Sequence, residues 1–85
     1  MVQVETLHEP IVVRADFRGG QIEPLWFQQG QRKLQVVSVH ACWLQRDTDC
    51  RRYCFSVQAD TGDIFELHLD ARDMQWWLDR VCLEG

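Results

Sequence analysis

Apolar side chains recur at every second position through much of the C-terminal half of this chain. A period of two is typical of a β-strand with one face in a core, because successive side chains point to opposite faces of a sheet. Residues 60–63 separate two such runs and have the composition of a hairpin turn. The sequence therefore predicts a hairpin whose core face is formed by Tyr53, Phe55, Val57, Ala59, Phe65, Leu67 and Leu69.

The N-terminal half divides into short extended segments between glycine turns. Residues 11–17 are rich in β-branched and alternating apolar side chains, which predicts a strand. The Gly19-Gly20 pair predicts a tight turn, and Gly30 predicts a second one, because glycine adopts positive φ without strain. Pro24 cannot donate a hydrogen bond to a neighbouring strand, so it predicts a sheet edge or a bulge.

Three further segments are less regular. Residues 1–8 alternate only in part, so a short strand and a frayed terminus both remain open. Residues 32–45 have apolar side chains on both faces and exceed the usual strand length, which predicts a bent strand. Residues 46–52 are polar and predict the longest loop of the chain.

The last segment, residues 74–83, is predicted to be a strand with two alternating faces. A helix over residues 71–78, capped by Asp70, is the alternative, because the segment contains good helix formers. The strand would place Trp76, Leu78, Arg80 and Cys82 on one face, and Trp77, Asp79, Val81 and Leu83 on the other.

These segments together predict the fold class. With 85 residues, 46% of them hydrophobic and 26% charged, the chain is expected to be a single β domain spanning residues 1–85. Polar turns between short strands favour an all-β fold, a small antiparallel meander of five or six strands curled into an SH3-like, partly open barrel. So small a core leaves little room for a deep enclosed site, so no enzyme activity, cofactor or small-molecule substrate is expected.

Charge and hydropathy limit the expected partners. The net charge of −4 argues against indiscriminate attraction to phosphate backbones or anionic lipid. No apolar run reaches the roughly 18 residues of a membrane helix, and the first residues lack the features of an export signal. We therefore expect a soluble cytoplasmic protein with no membrane partner.

Several short motifs resemble those of an uncharacterised family of small bacterial domains of unknown function. The similar motifs are the proline-led segment at residues 9–13, the aromatic segment at residues 25–27, and three C-terminal segments at residues 53–57, 62–67 and 76–81. The resemblance covers residues 9–83. Trp77 and Asp79 stand where the family usually has tyrosine and glutamate. Some relatives are encoded near error-prone DNA polymerase components, so the resemblance implies a DNA-repair association and assigns no catalytic residue.

Aromatic and basic side chains are the candidate binding residues. Trp76 and Trp77 are neighbours on the predicted last strand, so they point to opposite faces and one should be partly exposed. An exposed tryptophan beside an arginine or tyrosine can anchor a peptide or stack on an unpaired base. The full candidate set is Trp26, Trp43, Tyr53, Trp76, Trp77, Arg32, Lys33, Arg51, Arg52 and Arg80.

The spacing of the cysteines and histidines gives little indication of metal binding or catalysis. Cys50 and Cys54 do not form the C-x2-C knuckle of structural zinc sites, and the pair His40 and Cys42 does not either. Free thiols and no metal are expected, although a cysteine-based metal or redox site stays open as an alternative. The three histidines lie on separate segments, with no adjacent arrangement that marks a nucleophile and its base.

The sequence thus predicts a non-catalytic protein-interaction or scaffolding module that uses an aromatic and strand-edge surface. The partner would be another protein or a second copy of the chain. A single-stranded nucleic-acid-binding module associated with DNA repair is the alternative, in which tryptophan or tyrosine acts with Arg32, Lys33, Arg51 and Arg52.

Overall fold

The computed structural model describes residues 2–84, and in this range the chain forms six antiparallel strands. Each strand pairs with the next one along the chain, and β1 pairs with β6 to close the ring. The predicted fold class is therefore confirmed, with six strands in a meander. The strands are β1 (Val2–Arg18), β2 (Gln21–Gln29), β3 (Arg32–Asp47), β4 (Cys50–Ala59), β5 (Ile64–Asp70) and β6 (Gln75–Glu84).

Closure of the ring depends on the length of β1. Its first half pairs with β6, from Val2 opposite Glu84 to Ile11 opposite Trp76, and its second half pairs with β2. The segment that could have been frayed is therefore a strand from Val2 onward, and Met1 lies outside the described residues.

The hydrophobic core fills the inside of this ring. Alternation sends every second side chain of β4 and β5 inward, as the sequence predicts, and Tyr53 packs against the edge of the buried cluster. The phenyl rings of Phe27 and Phe65 meet edge to face, with centroids 5.0 Å apart. The buried residues are Ile11, Phe27, Leu34, Phe55, Val57, Ala59, Phe65, Leu67, Leu69, Trp76, Leu78 and Val81.

Register shifts occur at the predicted places and at two places that were not predicted, in β6 and in β1 between Thr6 and Glu9. Ala15 pairs with Pro24 while Arg14 pairs with Trp26, so Leu25 is the extra residue of a bulge beside the proline. Two further shifts in β3 follow Val36 and Val39, and they bend the long strand as expected.

The unpredicted bulge in β6 reverses the faces expected for the end of that strand. Leu67 pairs with Leu78 and Glu66 with Arg80, so Asp79 is the extra residue. The prediction that Leu78 and Arg80 share a face was wrong. After the bulge Val81 points inward and is buried, and Arg80 points outward to Glu66, with 3.2 Å between Nε and Oε2.

The loop predicted over residues 46–52 was also wrong. Arg46 pairs with Arg51 and Asp47 pairs with Cys50, which leaves Thr48 and Asp49 as the turn of a long β3–β4 hairpin. The segment is polar because this end of the hairpin projects past the core. Neither face meets the core there, so apolar and polar side chains do not alternate.

The remaining turns agree with the sequence. Gly19, Gly20 and Gly30 have φ values of +60°, +76° and +60°, the conformation that favours glycine at tight turns. Residues 71–74 form a turn and β6 follows, so the strand prediction holds and the helix alternative does not. In the part of the chain that the structure describes, no helix is long and apolar enough to cross a membrane.

Candidate functional site

The ring of strands opens between β2 and β3. Their ladder has only four pairs, from Gln29 opposite Arg32 to Trp26 opposite Gln35. Beyond Gln35 the two strands separate, β2 continuing to pair with β1 and β3 with β4. The β1–β2 and β3–β4 hairpins therefore stand apart, and a cleft lies between them.

This hairpin cleft has a volume of about 750 Å³, within the usual range of ligand-binding clefts. The pairing of Cys42 with Phe55 and of Leu44 with Tyr53 places these four side chains on one face of the β3–β4 hairpin. That face continues the inner surface of the ring into the cleft. The cleft is lined by residues 20–25 of β2 and its turn, by residues 36–39 and 42–44 of β3, and by residues 53–55 of β4.

Large apolar side chains are exposed along the cleft. Val37 is 61% exposed, and Val39, Trp43 and Leu44 are each 40% or 41% exposed. Phe17, at the end of β1 and paired with Ile22 of β2, is 59% exposed. A row of apolar side chains beside an opening is typical of a surface that binds a partner.

Two free strand edges border the hairpin cleft. On the β2 side, residues 21–25 have β1 as their sheet neighbour, and on the β3 side residues 36–47 have β4. The β3 edge contains bulges at Val37 and His40, which interrupt its hydrogen-bonding pattern. From Ala41 to Asp47 the register with β4 is regular, so this stretch presents an even row of backbone donors and acceptors.

The four candidate tryptophans lie in different surroundings. Trp43 and the candidate Tyr53 both line the hairpin cleft. Trp76 is buried in the core with its ring 5.6 Å from that of Phe55, whereas Trp77 is half-buried on the outside of the ring. The sequence therefore identified correctly that one member of the Trp76-Trp77 pair is partly exposed.

The basic candidate residues lie in separate parts of the molecule. Lys33 lies with its Nζ atom 4.1 Å from the centre of the Trp26 ring, a cation–π contact at the β2–β3 end of the ring. Arg32 begins β3 next to Lys33, whereas Arg51 and Arg52 lie at the far end of the β3–β4 hairpin. These four basic groups thus occupy opposite ends of β3, and Arg80 pairs with Glu66 on another strand.

A second depression, which we call the hairpin-tip depression, lies at the turn end of the β3–β4 hairpin. Its volume is about 510 Å³. Arg46 and Arg51 are directly opposite each other in the ladder, two positions beyond Leu44 and Tyr53 and therefore on the same face. The depression is lined by Arg46, Asp47, Thr48, Asp49, Cys50, Arg51, Ala71 and Arg72.

Asp70 accepts several hydrogen bonds beside the hairpin-tip depression. Its carboxylate accepts hydrogen bonds from the Arg72 side chain, at 3.1 Å to Nη2, and from the Arg72 backbone N–H at 3.0 Å. The Cys50 thiol donates a third one, at 3.5 Å. These hydrogen bonds, above all those from Arg72, lower the pKa of Asp70 to about 2. Arg72 is consequently engaged with Asp70, which leaves Arg46 and Arg51 as the cations of the depression.

On the outside of β4–β6, the Cys54 thiol, the His68 imidazole and the Asp79 carboxylate form a polar cluster. Cys54 pairs with His68 across the sheet, and His68 Nδ1 donates to Asp79 at 2.7 Å. The bulge at Asp79 brings this carboxylate beside His68, and His8 stacks on Trp77 nearby with its Nδ1 3.8 Å from Asp79.

The Cys54 thiol is nevertheless poorly suited to act as a nucleophile. It is 4% exposed and directs its hydrogen bonds to Gln45 Oε1 and to the Arg52 carbonyl. Burial and the negative charge of Asp79 raise its pKa, which reduces the reactive thiolate form. His68 is buried and Asp79 is partly exposed, and their hydrogen bond satisfies the His68 ring beside Trp77.

The cysteines are free thiols, with Cys42 exposed and Cys50 and Cys54 buried. Within residues 2–84, no three histidine, cysteine or acidic side chains come close enough together to hold a metal ion.

Sequence reasoning missed the apolar lining of the cleft. Val37, Val39 and Leu44 were read as parts of a bent strand that serves one core, yet they lie where β3 has left its neighbour β2. The available signal was the presence of apolar side chains on both faces of residues 32–45, more than one core could cover.

Comparisons of this chain with family models, with curated proteins and with solved structures returned no match. The resemblance to a family of small bacterial domains, and the DNA-repair association that it implies, therefore stay predictions.

Proposed function

We propose that this chain is a non-catalytic protein-interaction module that binds an extended segment of another protein in the hairpin cleft. The early end of the β2–β3 ladder, at Trp26 opposite Gln35, is the observation that supports it most. The end of that ladder leaves a free strand edge directly beside an apolar surface. An added strand gains main-chain hydrogen bonds from such an edge and specificity from alternate side chains that enter the cleft.

The regular part of the β3 edge defines where the added strand would lie. Ala41–Asp47 offers seven residues, or about 23 Å of extended backbone at 3.3 Å per residue. Cys42, Trp43 and Leu44 all line the cleft. The Cys42 and Leu44 side chains share the face that continues the inner surface of the ring, and Trp43 alternates to the opposite face of β3. Main-chain pairing on this edge and apolar contacts inside the cleft then act on the same bound segment.

The distribution of basic groups favours a peptide over a nucleic acid. A single-stranded nucleic acid would need the basic side chains to follow one path together with stacking aromatics. Arg32 and Lys33 lie at the start of β3, and Arg51 and Arg52 lie beyond its end. The cleft between them is lined by apolar and neutral polar residues and by Glu23, whose negative charge repels phosphate.

A titration monitored by NMR tests the proposal. The isotope-labelled protein is titrated with a capped peptide of alternating valine and threonine, which has the pattern of a strand with one apolar face. We expect amide shifts confined to residues 21–25 and 41–47, because these edges border the cleft. Leu44→Asn should weaken binding, since it removes an apolar contact from the cleft.

The matched control is Val12→Asn, which changes a 63% exposed valine of β1 that does not line the cleft. Equal weakening by both variants, or shifts scattered over the surface, would contradict binding in the cleft. Saturating oligonucleotide binding with no response to the peptide would favour the nucleic-acid alternative instead. A dimeric mass for the free protein, lost in Leu44→Asn, would identify the occupant as a second copy.

A further inference from the structure

We infer that the segment bound in the hairpin cleft has an acidic residue next to its apolar residues, placed to meet Arg46 and Arg51. This inference rests on the proposed function and adds the chemistry of the partner. It arises from the register of the β3–β4 hairpin, which places Cys42, Leu44 and then Arg46 along one face, so that this face changes from apolar to basic towards the turn.

The order follows from strand alternation. With the register regular from Ala41 to Asp47, the cleft-facing positions of β3 are Cys42, then Leu44, then Arg46. In a sheet the side chains directly opposite one another on the same face interact most strongly. A strand added to this edge therefore places two apolar side chains beside Cys42 and Leu44 and its next inward side chain beside Arg46.

Arg46 and Arg51 need a negative partner that the described chain does not supply to them. The two arginines are direct cross-strand neighbours, and like charges in this position destabilise a sheet. The ion pairs within residues 2–84 involve His8, His68, Arg72 and Arg80, and none involves Arg46 or Arg51.

The acidic groups near these arginines are placed differently. Asp47 also lines the hairpin-tip depression but lies on the opposite face of β3 from Arg46, and Asp49 lies in the turn. Asp70 is held by Arg72. A carboxylate of the bound segment would therefore relieve the repulsion between Arg46 and Arg51, and it would extend the contact from the cleft into the depression.

Matched peptides test this preference. Capped peptides of alternating valine and threonine are made with two aspartates, two lysines or two serines at one end. Each is made with that pair at the amino end and again at the carboxyl end, because β3 can pair with a strand in either direction. Affinity is measured by fluorescence anisotropy at low and at high salt.

We expect one of the aspartate peptides to bind about fivefold to tenfold more tightly than its lysine counterpart, with serine between them. The difference should shrink at high salt, because exposed charge pairs are screened. In the double variant Arg46→Gln with Arg51→Gln the three peptides should bind equally. The control double variant Arg14→Gln with Arg18→Gln removes the same charge from exposed arginines of β1 that line neither the cleft nor the depression, and it should keep the preference.

The outcomes separate the two proposals. If all peptides bind equally to the native protein, the cleft binds extended segments and the acidic preference is wrong. If the preference survives in the Arg46 and Arg51 double variant, the acidic group is recognised elsewhere and the assignment is wrong. If no peptide shifts the amides of residues 41–47, the proposed function itself fails, and the acidic preference fails with it.

Discussion

β3 and β4 are neighbours with similar apolar content, yet β3 is exposed beyond Val36 whereas most of β4 is buried or half-buried. Val39 and Val57 are direct partners in their ladder, and Val39 is 40% exposed whereas Val57 is fully buried. On opposite faces of the same ladder, Cys42 of β3 is exposed and Cys54 of β4 is buried. Two strands that share a ladder can thus have different surroundings, because burial depends on what covers each strand rather than on its own pattern.

The cause is the number of neighbouring strands. β4 lies between β3 and β5 along its length, so both of its edges are paired. β3 loses β2 beyond Gln35 and keeps one neighbour through its last twelve residues. The apolar side chains of β4 complete the core, and those of β3 line the hairpin cleft.

Removing the same two methyl groups from each partner is the strongest test of this contrast. Val57→Ala should lower the free energy of unfolding by about 2–3 kcal/mol, because it deletes buried methyl groups and leaves a cavity. Val39→Ala should change it by less than about 0.5 kcal/mol, because the side chain is already partly in water. Urea denaturation of both variants measures the difference.

Equal losses of stability for Val39→Ala and Val57→Ala would mean that β3 is covered in solution. The hairpin cleft would then be closed, and the comparison between the two strands would not hold.

A second, smaller difference between β3 and β4 is expected in the reactivity of their cysteine thiols. Cys42 should react with a thiol reagent at pH 8 at least about tenfold faster than Cys54, because the thiolate is the reacting form. Burial raises the pKa of Cys54 and also blocks access to it. Mass spectrometry of digested protein locates the label, with Cys42→Ser as the control that removes the fast site. Labelling of Cys54 at the rate of Cys42 would show that β4 is as open as β3.

The smallest expected effect is on the pH dependence of unfolding, and it concerns Asp70. Arg72 holds the pKa of Asp70 at about 2, below its ordinary 3.8, so the folded state favours the ionised form. The resulting stabilisation is present above about pH 4 and is lost as the pH falls towards 2. Asp70→Asn should flatten the pH dependence of unfolding in this window.

Asp47→Asn is the matched control, since Asp47 lies at the exposed end of β3. Because no ion pair within residues 2–84 involves Asp47, this substitution removes the same charge and keeps the pairing of Asp70 with Arg72. An equal flattening by both substitutions would show that the effect comes from overall charge and not from the pairing of Asp70 with Arg72.

The parts of the fold that the sequence predicted are those in which one strand face meets one core. Alternation identified the inward faces of residues 53–59 and 64–69 because burial there follows the period of two. Gly19-Gly20 and Gly30 identified two turns because the backbone needs positive φ at those positions. Pro24 identified the bulge in β2 because it cannot donate to a ladder.

The errors come from features that depend on neighbouring strands. The bulge at Asp79 changes which side chains of β6 face the core. Nothing in the local composition indicates this bulge, and in the structure Asp79 accepts a hydrogen bond from His68. Residues 46–52 have the composition of a loop because the hairpin projects beyond the core. The binding candidates were chosen as aromatic and basic residues, of which the cleft contains Trp43 and Tyr53, while Val37, Val39 and Leu44 were overlooked.

Amide hydrogen exchange of the free protein tests the central claim, the free edge of β3, most directly. In residues 41–47 the amides that point away from β4 should exchange at nearly unprotected rates, whereas the paired amides of β4 should be strongly protected. Addition of the valine–threonine peptide should protect the fast amides of β3. Strong protection of every amide in residues 41–47 before any peptide is added would contradict the account, because the edge would already be paired.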